Sequence, residues 1–243
     1  MPLKRFGQNF LQDSRITERM VEYAGVTKED VVLEVGPGHG ILTNELSRRA
    51  KRVVAIERDK KLVPEISGLW KNVEVVQGDA LEVPFPRFDK FVASIPFNIS
   101  SPLTFKLFKH DWTTAVVIYQ KEFAERFFAK PGEKHYSRLT VAVNYYAKPE
   151  LLERVSHGKF WPMPKVDACI VRLTKREPPF PTDEAFWETI NRLFQHKKKT
   201  VAAALKASKL KGTVPAGFEK KRIFQCTLED LRKITSAVSR TCS

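Results

Sequence analysis

Cysteine is scarce: Cys169, Cys226 and Cys242 are the only three in 243 residues, odd in number and far apart. That pattern excludes a disulfide scaffold and the close pairing of a zinc site, so reduced thiols and no bound metal are expected. Long apolar runs are missing as well. No stretch reaches the ~18 residues that a membrane helix needs, and the start Met1-Pro2-Leu3-Lys4-Arg5-Phe6-Gly7 has none of the apolar core of a secretory leader. A cytoplasmic protein is the expectation. No long heptad pattern is present, which leaves a monomer as the expected state. Acidic side chains are in deficit, 28 Asp and Glu against 42 Lys and Arg, for a net charge of +14. An excess of this size neutralises phosphates and releases their counterions, so nucleic acid is the first candidate partner and an anionic membrane surface the second.

What is present has a clear order. Short β-branched runs at Val31–Val35, Arg52–Ile56, Val73–Val76, Lys90–Ala93 and Ala115–Ile118 alternate with helical patterns, the signature of a parallel sheet wrapped by helices. Two further strands are expected at Leu139–Asn144 and Ala168–Leu173. The segment Glu177-Pro178-Pro179-Phe180-Pro181 continues neither a helix nor a central strand, and so marks a boundary. Beyond it Trp187, Ile190, Phe194 and Val201 recur at helical spacing. The expected fold is therefore an α/β domain over residues 1–176, of which 1–29 form an amino-terminal segment contacting cofactor and RNA, followed by a small basic helical domain over 182–243.

The first strand runs into Gly36-Pro37-Gly38-His39-Gly40, and a helical pattern starts at Ile41. Glycines there let the backbone turn tightly and approach a ligand that any Cβ would obstruct. Glu57 closes the second strand, where its oxygens can accept from two ribose hydroxyls. Asp79, in Gly78-Asp79-Ala80, follows the third strand, where a carboxylate can accept from an adenine amino group. Carboxylates after successive parallel strands fit an adenosine better than a pyrophosphate, which they would repel. This arrangement resembles the Rossmann-like class I methyltransferases, which implies S-adenosylmethionine as cofactor and places Glu34 near its sulfonium or ammonium.

After the fourth strand comes Ser94-Ile95-Pro96-Phe97. Enzymes that methylate exocyclic amino groups carry Asp, Asn or Ser here, then an apolar residue or Pro, then Pro and an aromatic. An aniline-like nitrogen has its lone pair drawn into the ring, and two acceptors must hold its hydrogens to turn the lone pair toward the methyl. The Ser94 hydroxyl and the Ile95 carbonyl are the candidates. Phe97 offers a face on which an extruded adenine can stack, worth about 1–3 kcal/mol per base.

Further segments extend the likeness over nearly the whole chain: Arg5-Phe6-Gly7-Gln8-Asn9-Phe10-Leu11, Gln120 through Arg126, Tyr136-Ser137-Arg138-Leu139, and Phe160-Trp161-Pro162-Met163-Pro164-Lys165-Val166. On these the chain resembles the KsgA and Dim family of ribosomal RNA adenine dimethyltransferases, and Ser100 through Phe108 looks more like its archaeal and eukaryotic branch. The resemblance implies N6-dimethylation of two adjacent adenosines in a hairpin loop near the 3′ end of small-subunit rRNA, within a pre-ribosomal particle. It also implies that Gln8, Asn9 and Leu11 close over a cofactor held by Glu34, Gly36, Gly38, Glu57, Asp79, Ala80 and Ser94. Phe160 would contact the target base opposite Phe97. The family usually has Asn where this chain has Ser94. A hydroxyl is shorter than an amide and also donates, so the target nitrogen must come closer or be reached through water. Two alternatives share these features: an rRNA-binding assembly factor in which methylation is secondary or lost, and a large-subunit rRNA adenine methyltransferase. A DNA adenine methyltransferase would need an added target-recognition region.

Between Asn191 and Arg222 ten Lys or Arg face the single Glu219. Beside a base-flipping site such a run reads as a phosphate-binding surface, with Lys197, Lys198, Lys199, Lys206, Lys209 and Lys211 as contacts and Lys4, Arg5, Arg15 and Arg19 extending it.

Overall fold

The computed structural model describes residues 8–238. In chain order these form β1 (Phe10–Leu11), α1 (Ser14–Ala24), β2 (Val31–Val35), α2 (Ile41–Arg49), β3 (Arg52–Glu57), α3 (Val63–Ile66), β4 (Val73–Gln77), β5 (Lys90–Ala93), α4 (Ser100–Leu107) and β6 (Thr114–Gln120). Then come α5 (Lys121–Phe128), α6 (Arg138–Tyr146), β7 (Ala147–Val155), β8 (Phe160–Trp161), β9 (Ala168–Lys175), α7 (Glu184–Gln195), α8 (Val201–Ala207) and α9 (Leu228–Ser236). No helix among the described residues is long and apolar enough to cross a membrane.

The chain divides into two units, one running to Ala124 and resuming over Ala147–Lys175, the other made of Glu125–Tyr146 and the chain from Arg176 on. The first unit is built on a seven-stranded sheet in the order β4-β3-β2-β5-β6-β9-β7. From β4 to β6 neighbouring strands are parallel, whereas β9 runs antiparallel to both β6 and β7. Strands β2 and β5 are neighbours from which the order runs in opposite directions, the position where open α/β sheets bind ligands at the strands' carboxyl ends. Helix α1 starts at the Asp13 cap, whose carboxylate accepts from the Arg15 amide, and ends at Gly25 in the left-handed region (φ 58°). Its apolar face, Ile16, Met20, Val21 and Ala24, joins Leu42 and Leu46 of α2 and Val116 and Ile118 of β6 in one buried cluster. Each large side chain fully buried there contributes roughly 1.5–3 kcal/mol.

Two expectations need correction. Leu139–Asn144 is not a strand but lies within α6. Leu139, Thr140, Val141, Ala142, Val143 and Tyr145 of that helix are all buried, and a helix buried over most of its surface shows the same short apolar run as a core strand. The boundary near Arg176 is present, but Glu125–Tyr146 belongs with the carboxy-terminal unit rather than with residues 1–176. The reason is packing: Tyr136 and Val141 share an apolar cluster with Ile190 and Leu193 of α7, Val201 and Leu205 of α8, and Leu231 and Ile234 of α9. Val201 itself opens α8, so the helical spacing that begins at Trp187 spans two helices. Each helix start is capped, by Asp183, Thr200 and Thr227 in turn.

Candidate active site

The turn from β2 into α2 holds Gly36 at φ +73° and Gly38 at φ +58°, in the left-handed region. Both also sit against neighbours. A Cβ on Gly38 would lie 2.7 Å from the Phe10 ring, and one on Gly36 would lie 3.3 Å from the Pro96 ring. The glycine turn is thus pressed between β1 and the Ser94-Ile95-Pro96 segment. Two cavities meet along it. One of about 260 Å³ is lined by Asn9, Leu11, Glu34, His39 and Ser94, and the other, about 40 Å³, by Gln8, Glu57, Arg58, Asp79 and Ile99; Gly36 and its neighbourhood border both.

Each carboxylate is held in a definite way. Glu57 accepts from the Gly38 amide (3.1 Å) through Oε2 and from the Asp59 amide (2.8 Å) through Oε1. Burial pushes its pKa up, against those backbone donors. Asp79 accepts from the Leu81 amide (2.9 Å) and pairs with the Arg58 guanidinium (3.2 Å). Glu34 is 1% exposed and accepts from the Thr43 hydroxyl at 2.8 Å. Burial pushes its carboxyl up to about 8, with the charge of Glu57 adding to the effect and the Thr43 hydroxyl opposing it. A buried carboxyl facing a cavity in this state is primed for a cationic ligand.

Beyond β5 the chain passes Ser94, buried Ile95 and Pro96, then turns through a short 3-10 segment, Phe97–Ile99, into α4. Ser94 and Glu34 line the same cavity, while Pro96 and Asn98 line the smaller one. The Phe97 and Phe160 rings meet edge to face, centroids 6.2 Å apart. Phe160 reaches this point because β8 pairs with β1, Phe160 opposite Leu11 and Trp161 opposite Phe10. The alternation of a strand leaves Phe160 at 3% exposure and Trp161 at 55%. A purine entering between Phe97 and Phe160 must turn one of the two rings, since their contact fills that space.

The structure therefore brings Gln8, Asn9, Leu11, Glu34, Gly36, Glu57, Asp79, Ala80, Ser94 and Pro96 to one stretch of the sheet's carboxyl edge. Residues passed over in the sequence also line it: Phe10, His39 and Arg58. The Phe10 ring meets His39 at a tilt, centroids 4.8 Å apart, a contact no local pattern signals. Lys4 and Arg5 lie outside the described residues. In the second unit Lys198, Lys199, Lys206, Lys209 and Lys211 are exposed. Lys197 is different: its ammonium donates to the carbonyls of Lys134 (3.0 Å) and Tyr136 (2.8 Å), and burial lowers its pKa. That side chain ties two segments of its own unit together, which leaves its donors engaged rather than presented to phosphate.

The donor set fits S-adenosylmethionine. Gln8 Oε1 is buried without a hydrogen-bond partner in the small cavity's lining, where a ribose hydroxyl or adenine amine would satisfy it. Glu57 keeps lone pairs for two hydroxyls, the glycine turn leaves room that a Cβ would fill, and Glu34 supplies a buried carboxyl that a cationic ligand would ionise. Sheet order, glycine turn and acidic residues at the end of β3 and after β4 define a class I S-adenosylmethionine-dependent methyltransferase. The family profile of ribosomal RNA adenine dimethylase matches residues 3–235, and the chain belongs to that family. It is 44% identical to the probable ribosomal RNA small subunit methyltransferase A of Thermococcus gammatolerans, over 96% of this chain and 88% of that one. The corresponding protein of Pyrococcus furiosus is 43% identical, over 96% and 90%. Among solved structures, a dimethyladenosine transferase from Plasmodium falciparum superposes with a TM-score of 0.81 at 30% identity, covering 94% of this chain and 99% of that one. The 23S rRNA methyltransferase ErmE gives 0.67 at 30%, covering 95% and 99%.

Proposed function

We propose that this enzyme transfers methyl groups from S-adenosylmethionine to N6 of two adjacent adenosines in a hairpin loop near the 3′ end of small-subunit rRNA, acting as a monomer on a pre-ribosomal particle. The observation that carries the reading is Ser94 and Phe97 following directly on β5, with Ser94 in the wall of the cavity that Glu34 lines. The cofactor supplies an electrophilic methyl carried on positive sulfur. The protein supplies position: Ser94 and the Ile95 carbonyl accept from the target amine, and Phe97 holds the everted ring. No strong base is required, because the amine loses its proton after its lone pair has been engaged. The small-subunit target is favoured over a large-subunit one by the archaeal relatives and by the closer superposition on the dimethyladenosine transferase.

Mapping rRNA from cells that lack the protein tests this reading. Unmodified adenosines at two neighbouring positions near the small-subunit 3′ end are expected, restored by the wild-type chain. Modification unchanged in the deletion, or lost only from large-subunit rRNA, overturns it. In the same assay Ser94→Asn is expected to retain dimethylation and Ser94→Ala to lower it by about tenfold or more, as loss of one hydrogen-bond acceptor implies. A Ser94→Ala enzyme with wild-type yield of dimethyladenosine contradicts the role given to this hydroxyl.

The exposed lysines of the second unit are assigned to phosphates. Replacing Lys198, Lys199 and Lys206 together by Gln is expected to weaken RNA binding and lower the slope of log affinity against log salt by roughly 0.7–0.9 for each phosphate no longer neutralised. Cofactor binding stays as in the wild type. An unchanged salt slope removes these residues from the interface. Trp161, at 55% exposure, and Met163, at 64%, present apolar surface next to Phe160.

A further inference from the structure

Lys106 stands near the end of α4, the helix that begins at the target motif, and its ammonium is not turned to solvent. It donates to the carbonyls of Ala80 (2.8 Å) and Val83 (2.5 Å) and lies 4.2 Å from the centre of the Phe85 ring. Those carbonyls belong to the turn that carries Asp79. The turn closes on itself through the Glu82 and Val83 amides, which donate to the Asp79 carbonyl at 2.9 and 2.8 Å, and through Leu81, which donates to the Asp79 side chain. Burial lowers the pKa of Lys106, and the charge of Asp79 opposes that shift. Helix α4 is in turn fixed to the sheet: Thr104 Oγ1 lies 2.9 Å from the Tyr119 hydroxyl of β6, and both side chains are buried.

We propose that Lys106 is a positioning residue for the cofactor, locking the Asp79-Ala80 turn to α4 so that the adenine site keeps its shape. The inference rests on the reading of Asp79 and Ala80 as neighbours of the cofactor's adenine, and does not depend on which RNA is methylated. A flexible ammonium offers three donors on an apolar stem, which suits it to hold two carbonyls while the stem packs on Phe85. The turn's other tie, Arg58 to Asp79, is half-exposed and sits on the opposite side of Asp79 in the chain, after β3. Two cationic side chains from different elements therefore hold one short turn.

The test is binding without RNA, measured by calorimetry with S-adenosylhomocysteine and with 5′-methylthioadenosine, which shares the adenosine but lacks the amino-acid end. For Lys106→Met both ligands are expected to weaken by the same factor, roughly tenfold for the loss of charged hydrogen bonds acting through the turn. In methyl-transfer assays KM for S-adenosylmethionine rises by that factor while kcat stays within about twofold. Lys106→Arg, which keeps charge and donors, is expected to recover most of the affinity. Unchanged affinity for both ligands in a folded Lys106→Met protein overturns the proposal, whether or not its Tm has fallen. Weakening confined to S-adenosylhomocysteine also overturns it, because the defect would then lie at the amino-acid end. Should Lys106→Met not fold, Lys106→Gln is measured in the same way alongside hydrogen exchange, with faster exchange expected at the Leu81 and Val83 amides and unchanged exchange there counting against the assignment.

Discussion

Replacing Glu57 by Ala is expected to weaken S-adenosylmethionine binding by about a hundredfold. A hydrogen bond to a charged group contributes about 1.5–3 kcal/mol, and loss of two from the ribose hydroxyls at the low end already amounts to some two decades of affinity. The same carboxylate accepts from the Gly38 and Asp59 amides, so the substitution also releases the glycine turn from β3. Glu57→Gln separates these effects. It keeps one acceptor oxygen, for one of the two backbone amides, and an NH2 that can donate to a ribose hydroxyl oxygen, and is expected to lose only about tenfold. Calorimetric titration at a temperature well below the Tm of each variant distinguishes this outcome from unfolding. Wild-type affinity in folded Glu57→Ala would remove the ribose from this position and with it the orientation assigned to the whole cofactor.

The second large effect concerns pH. Glu34 is pushed up to about 8, chiefly by burial, so much of the unliganded protein carries it protonated at neutral pH. A sulfonium or ammonium beside it favours the carboxylate, so binding expels a proton. Affinity for S-adenosylmethionine is then expected to rise with pH, approaching tenfold per unit, between about pH 6 and 7.5, where the ligand's own α-amino group stays largely charged. Glu34→Gln should flatten that dependence while still accepting from Thr43. The stability of the free protein runs the opposite way. The folded-state pKa of Glu34 lies above its ordinary value of 4.5, so its stabilising share is complete below that pH and is lost as pH rises through about 8. Thermal unfolding without ligand should therefore fall over this window, and fall less when the cofactor is bound. A flat affinity profile for the wild type, or a sloping one for Glu34→Gln, contradicts the pairing of this carboxyl with the ligand's positive charge.

Much of this site is local in sequence. Strand, glycine turn and helix follow one another within Val31–Arg49, and each acidic residue lies at or just after the end of its strand, so pattern and turn chemistry point to the same rim of the sheet. The parts that local pattern misses are those fixed by distant partners. β7 carries Lys148, Pro149, Glu150, Glu153 and Arg154, and reads as polar because it is an edge strand, paired only with β9 within the sheet. β1 and β8 are two residues long and exist through each other, across a separation of about 150 residues, yet they bring Phe160 to Phe97. Helix α6 has the β-branched residues of a strand, Thr140, Val141 and Val143, and is buried over most of its length, so local pattern does not tell it from one. The charges mislead in the same way. Lys197 sits in the densest basic run but is folded onto backbone carbonyls, while Lys106, in a helix with no such run, holds the turn that presents Asp79. Composition reports how many cations a chain has; tertiary neighbours decide which of them remain available to a phosphate.

If the rim at β2, β3, β4 and β5 holds a methyl donor next to an everted adenine amine, the purified chain must be able to move that methyl by itself. Incubating it with methyl-labelled S-adenosylmethionine and immature small ribosomal subunits, followed by nuclease digestion and mass spectrometry, tests this most directly. Label is expected in N6,N6-dimethyladenosine, with yield lost on Phe97→Ala and on Glu57→Ala. Label in another base, or none in RNA that the protein binds tightly, would contradict it.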